Sequence, residues 1–166
     1  WGGSWWAAGA FSGKGGSRAL WRGRPVHSYQ TFGLGMSCGL LLVTHGRLGQ
    51  HLLATVRDVI GELPLDTDIL EVRRVQDTEV LIRQGTRMIE RLDSGDGVLI
   101  LTDAYGSTPG NLATRVATDQ RTRVVAGVNM PMLLRVFNYH DQALDALSTA
   151  AIEGGRRGIV DCQHPD

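Results

Sequence analysis

The sequence predicts an α/β protein built on an open, doubly wound, mainly parallel sheet of four strands flanked by helices. Two observations carry that reading. Short, continuous apolar runs of strand length recur along the chain, and the stretches between them space their apolar residues as helices do. Strands alternating with helices pair in parallel through right-handed crossovers, which is how such a sheet is wound.

The first run, Cys38 to Thr44 (CGLLLVT), reads as a strand buried on both faces. Beyond His45-Gly46-Arg47, apolar residues fall at Leu48, Leu52, Leu53, Val56, Val59, Ile60 and Leu63, a helical period closed by Gly61 and Pro64. Thr67 to Val72 reads as the second strand. Asp77 to Leu92 returns to helical spacing through Val80, Leu81, Met88, Ile89 and Leu92. Ser94-Gly95-Asp96-Gly97 is turn chemistry, and Val98 to Thr102 is a third, fully buried strand. Pro109 opens the next helix, carrying Leu112, Val116 and Ala117. Thr122 to Val128 is the fourth strand, and one or two helices lie between Met132 and Glu153. Gly158 to Cys162 is predicted as a short fifth strand.

Apolar residues make up 42% of the 166, enough for one domain with its own core. The chain carries 17 basic and 17 acidic residues, so no electrostatic footprint for nucleic acid is present. No apolar run is long enough to span a bilayer, which points to a cytoplasmic protein. Cys38 and Cys162 are too few and too far apart for a disulfide framework or a zinc site, and both read as buried thiols within strands. No metal site is expected.

Residues 1–35 differ from the rest. They hold Trp1, Trp5, Trp6 and Trp21, are rich in glycine, and carry Lys14, Arg18, Arg22 and Arg24 without one acid. No helical or strand period survives there. The segment is read as a disordered or non-native extension, with an ordered domain over 36–166 and Met36 as its natural start.

In a doubly wound sheet, ligands sit beyond the carboxyl ends of the strands, where the strand order reverses. The first strand ends in Thr44-His45-Gly46. The third ends in Thr102-Asp103 and runs on through Gly106-Ser107-Thr108-Pro109. The fourth leads into Asn129-Met130-Pro131, a loop expected to face a partner. Neutral imidazole is a good nucleophile near neutral pH. A carboxylate bonded to one ring N–H fixes the tautomer and steadies the cation formed on attack, a role open to Asp103. Thr108 reads as an N-cap with Pro109 the first helical residue, and the free N–H groups beyond it form an anion site. Gly46 and Gly106 let the backbone approach a phosphoryl group closely. Each residue also has a plain structural use: a satisfied polar histidine, a turn-capping aspartate, an ordinary helix start. Neither GxxxxGK[ST] nor GxGxxG is present, so no nucleotide cofactor is expected. His27, His51, His140 and His164 read as non-catalytic, with His51 on the first helix, facing solvent.

Three stretches, GLLLVTHGRLGQHLLATVRDVIGE at 39–62, GVLILTDAYGSTPGNLA at 97–113 and VVAGVNMPMLLR at 124–135, resemble the mannose-type IIA domain of the bacterial phosphoenolpyruvate-dependent sugar phosphotransferase system. The resemblance covers essentially all of 36–162. It implies that His45 is phosphorylated at Nε2, that Asp103 orients it, that phospho-HPr is the donor and that a IIB protein is the acceptor. It also implies a homodimer exchanging its last strand, here Gly158–Cys162, and contact with a membrane only through a transporter. The family's loop usually reads GG[ST]P. Ser107 in the second glycine position brings a Cβ that would strain a positive φ and a donor within reach of the phosphoryl group. Gly110 stands where a larger residue is common. No IIB-like stretch follows in this sequence, so the acceptor is expected on another chain, either for carbohydrate uptake or as a regulatory partner that reads the phosphorylation state.

Overall fold

The computed structural model describes residues Ser37–Gln163; the tryptophan-rich segment, Met36, His27 and His164 lie outside the described residues. Nine elements follow in order: β1 (Gly39–His45), α1 (Leu48–Ile60), β2 (Thr67–Val72), α2 (Thr78–Leu92), β3 (Val98–Thr102), α3 (Thr108–Val116), β4 (Thr122–Ala126), α4 (Met130–Asn138) and α5 (Leu144–Arg157). The four strands form one parallel sheet in the order β2-β1-β3-β4.

Successive residues of a strand point to opposite faces, and here both faces are covered. From β1 and β3, Leu40, Leu42, Leu99 and Leu101 pack with Leu53, Val56, Leu133, Phe137 and Leu147 of α1, α4 and α5. Leu41, Val43, Val98 and Ile100 pack on the other side with Leu81, Leu112 and Val116 of α2 and α3. Each fully buried leucine contributes about 1.5–3 kcal/mol relative to exposure. This double burial explains why the two central strands have no polar residue before their ends.

The chain runs from β1 to the edge strand β2 on one side, then returns to β3 on the other. The order therefore reverses between β1 and β3, and their carboxyl ends flank a crevice. Strand β1 continues one residue beyond the expected Thr44, because His45 stands in register with Val72 and the next N–H, that of Gly46, bonds to the Val72 carbonyl at 3.0 Å. Strand β4 stops at Ala126, earlier than expected. The N–H groups of Gly127 and Val128 both turn onto the Thr102 carbonyl, at 2.9 and 3.0 Å.

The predicted fifth strand is not formed within the chain. Residues Gly158–Cys162 follow the end of α5 without joining the sheet, and Ile159 is 80% exposed. An apolar run has strand character only where a neighbour takes its backbone hydrogen bonds. Cys162 is accordingly exposed, contrary to expectation, while Cys38 is buried as expected but lies just before β1, with its Sγ 3.2 Å from the Asp96 carbonyl.

Candidate functional site

His45 closes β1 and Asp103 follows β3, so the reversal of strand order brings the two side by side. Their contact is double. The backbone N–H of His45 donates to Asp103 Oδ2 at 2.7 Å, and ring Nδ1 lies 2.9 Å from the same oxygen. Asp103 Oδ1 accepts the Ala104 N–H at 2.8 Å. Burial pushes the Asp103 carboxyl up, but the hydrogen bonds from the His45 backbone, the His45 ring and the Ala104 N–H outweigh it. The group ends below the ordinary carboxylate value. An ionised carboxylate only accepts, so Nδ1 is the donor in this contact, and in a neutral ring that leaves the lone pair on Nε2. The Asp103 side chain is 10% exposed and the His45 side chain 56%: the carboxylate is sheltered and the imidazole is open.

The backbone around His45 is held from beneath. Helix α1 has no side-chain cap at Arg47; instead the buried Thr44 Oγ1 accepts the Gly49 N–H at 2.9 Å. That bond satisfies one of the helix's orphan donors and ties the turn between His45 and α1 to the strand it leaves. Gly46, inside that turn, adopts φ +49, a conformation that costs a residue with a Cβ. Sequence reasoning did not single out Thr44. A hydroxyl ending an otherwise apolar strand was the available signal.

The second loop differs from expectation at its cap. Ser107, not Thr108, is the N-cap of α3. Its Oγ accepts the Gly110 N–H at 3.2 Å and donates to the Ala104 carbonyl at 2.7 Å, and Thr108 and Pro109 are the first helical residues. Ser107 has φ −77, so its Cβ brings no strain; the positive φ belongs to Gly106, at +73. Ser107 Oγ also lies 3.5 Å from Asp103 Oδ1. At Gly110 a Cβ would stand 2.8 Å from the Ala104 carbonyl oxygen, so the loop lies too close for a larger residue. The two departures from the family pattern thus belong to one arrangement. Ser107 binds Gly110, and Gly110 leaves room for the turn.

Asn129, Met130 and Pro131 sit beyond β4 at the same edge of the sheet, each half-buried. Asn129 is engaged internally: it caps α4 by accepting the Met132 N–H at 2.9 Å, and its Nδ2 donates to the Gly155 carbonyl at 3.3 Å. His51 is exposed on α1, as expected. His140 lies at the junction of α4 and α5, toward the opposite edge of the sheet. Among the described residues no three His, Cys, Asp or Glu side chains gather to hold a metal, and no helix is long and apolar enough to cross a membrane.

The family model described as the PTS system fructose IIA component matches residues 39–152. The mannose-specific EIIAB component of the phosphotransferase system of Escherichia coli (strain K12) is 32% identical over 127 residues, covering 75% of this chain and 39% of that protein. The chain thus spans about two-fifths of the length of that relative. The fructose-specific EIIA component of Bacillus subtilis (strain 168) is 47% identical over 45 residues, 26% of this chain and 31% of its own. Among solved structures, the mannose/sorbose specific IIA subunit from Enterococcus faecalis superposes with a TM-score of 0.70 at 26% identity, covering 79% of this chain and 98% of that one.

Proposed function

Because the chain belongs to the family of PTS system fructose IIA components, we infer that it is a phosphocarrier whose reactive atom is His45 Nε2. The observation that carries this is the bond of His45 Nδ1 to a sheltered, ionised Asp103 at 2.9 Å. In the uptake step, the Nε2 lone pair attacks the phosphorus of phospho-HPr. The bond from phosphorus to the donor's imidazole breaks, and its electron pair stays on the donor. The His45 ring becomes cationic, and Asp103 stabilises that charge through Nδ1–H. The same exchange then runs toward a IIB protein on another chain, in the cytoplasm, for carbohydrate uptake. Catalysis of this kind rests on positioning and electrostatics. Gly46, Gly106, Ser107 and Thr108 border the phosphoryl position, where Gly46 and Gly106 leave the backbone uncovered by a Cβ.

The test is incubation with phosphoenolpyruvate, enzyme I and HPr. An acid-labile, base-stable phosphoryl adduct is expected on the wild type and none on His45→Ala. Labelling of the His45→Ala protein would refute the site, and an unlabelled wild type would refute the function. Adding a IIB protein separates uptake of carbohydrate from a regulatory role: a carrier is discharged, whereas a sensor read only by contact keeps its label.

We also assign the chain to a homodimer that exchanges residues 158–162. Among the described residues the outer edge of β4 is unpaired, and beside it a groove of roughly 360 Å³ is lined by Val124, Met132, Ile152 and Ile159 among others. An unpaired edge beside an exposed apolar segment is an arrangement that a second copy would close. Ile159→Asp is expected to give a monomer in sedimentation; an unchanged dimer would refute exchange through this segment.

A further inference from the structure

The edge of the sheet that carries His45 also carries cations without a carboxylate to answer them. Arg47 lies two residues beyond His45. Arg74 lies in the turn that leaves β2, two residues beyond Val72, the register partner of His45. Both are exposed, and neither has an ion-pair or hydrogen-bond partner for its side chain among the described residues. The nearby acids are committed. Glu71 pairs with Arg73 at 2.7 Å, Asp77 caps α2 through the Glu79 N–H at 2.8 Å, Glu79 pairs with Arg115 at 3.1 Å, and Asp103 holds His45. A polar groove of roughly 370 Å³ runs from Arg47 and Gln50 along β2 to Gln84.

Two apolar side chains stand in the open on the loops either side of His45. Val75 is 97% exposed in the turn after β2, and Tyr105 is 96% exposed in the loop after Asp103. Exposed apolar and aromatic groups beside arginines, with free acids absent, are the composition of a protein contact surface.

We propose that Arg47 and Arg74, with Val75 and Tyr105 as apolar anchors, form the docking surface for the phosphorylated donor protein, recognised by the charge it delivers. A phosphoryl group carries about −1.5 to −2 at neutral pH. While it rides on the donor, it attracts the donor to a face with two unanswered guanidinium groups. After transfer to His45 Nε2, the same negative charge belongs to this chain and lies against its own arginines. The attraction for the donor is thereby removed at the moment the donor has nothing left to give. The surface favours arrival of the charged donor and departure of the discharged one. This rests on the phosphocarrier reading above.

The experiment measures the initial rate of phosphoryl uptake from phospho-HPr against salt concentration, and the affinity for unphosphorylated HPr in parallel. Arg47→Gln/Arg74→Gln is expected to slow uptake on the order of tenfold at about 20 mM salt, with the gap closing to about twofold near 0.5 M as screening shortens the Debye length. Final labelling stoichiometry and the affinity for unphosphorylated HPr are expected to stay as in wild type. Arg57→Gln/Arg87→Gln removes the same charge from helix segments toward the opposite edge and is expected to leave the rate unchanged. Tyr105→Ala is expected to slow uptake equally at all salt concentrations. A double variant with the wild-type rate and salt slope would overturn the proposal while leaving the phosphocarrier function intact. An equal loss of affinity for both forms of HPr would also overturn it. A wild type that takes no label from phospho-HPr would overturn both.

Discussion

Asp103 places one carboxylate oxygen against two donors of the same residue, the His45 backbone and its ring. Replacing it with asparagine presents a neutral acceptor that no longer stabilises the ring cation. Asp103→Asn is expected to slow phosphoryl uptake roughly 10- to 100-fold, by analogy with orienting partners of functional histidines, in a rapid-quench labelling assay. The lowered carboxyl pKa has a further consequence for stability. A group whose pKa is depressed on folding stabilises the native state above its unfolded value, about 3.9, and that contribution disappears as pH falls through the folded value. Chemical denaturation of wild type and Asp103→Asn from pH 7 to 2.5 should therefore show a constant gap down to about pH 4 that closes below it. The pairing itself was legible in the sequence, because a histidine and an aspartate ended the two strands that a doubly wound order brings together. The second bond, from the His45 backbone, was not. It follows from β1 continuing through His45, which depends on Val72 lying alongside.

At the scale of elements, the loop between β3 and α3 turns on Ser107. Ser107→Ala removes the N-cap acceptor and is expected to cost about 1 kcal/mol in denaturant unfolding. Gly110→Ala gives the opposite of the usual helix rule. Alanine in a helix interior is normally better than glycine by about 1 kcal/mol, yet here its Cβ would meet the Ala104 carbonyl oxygen at 2.8 Å. A net loss of stability is expected, with slower uptake as Asp103 shifts with the loop. Sequence reading put the cap at Thr108 because Thr-Pro matches a cap followed by a first helical proline. The helix starts one residue earlier, with Pro109 at its second position, and the Ser107 hydroxyl reaches the Gly110 N–H at the third. Strands β2 and β3, by contrast, were read to the residue. Pro64 precedes the first and glycines the second, and the apolar run of β3 admits no shift without exposing leucines.

For the molecule as a whole, the two packed faces make the central strands the most sensitive positions. Leu101→Ala, in a strand buried on both sides, is expected to cost about 2–5 kcal/mol in equilibrium unfolding. The layering was legible because alternating apolar runs and helical periods leave few topologies for a chain of this size. The terminal segment 158–162 was not, since three apolar-looking residues cannot reveal which backbone will take their hydrogen bonds. Among the described residues no strand takes them: the Gly158 and Ile159 N–H groups turn back onto the Gly154 and Arg156 carbonyls of α5, at 3.1 and 3.3 Å. The carboxyl edge of the sheet gathers His45, Asp103 and the exposed loops, while the opposite edge holds Cys38 and the α4–α5 junction.

The shared oxygen of Asp103 also makes the His45 amide a spectroscopic witness to its own side chain. A proton on Oδ2 or a cationic ring on Nδ1 draws on the same lone pairs that hold the amide. The ¹H–¹⁵N cross-peak of His45 should therefore move when Nε2 is occupied, although the amide itself takes no part in the exchange. A backbone signal read without isotope-labelled side chains would then report the loading state of the protein in real time.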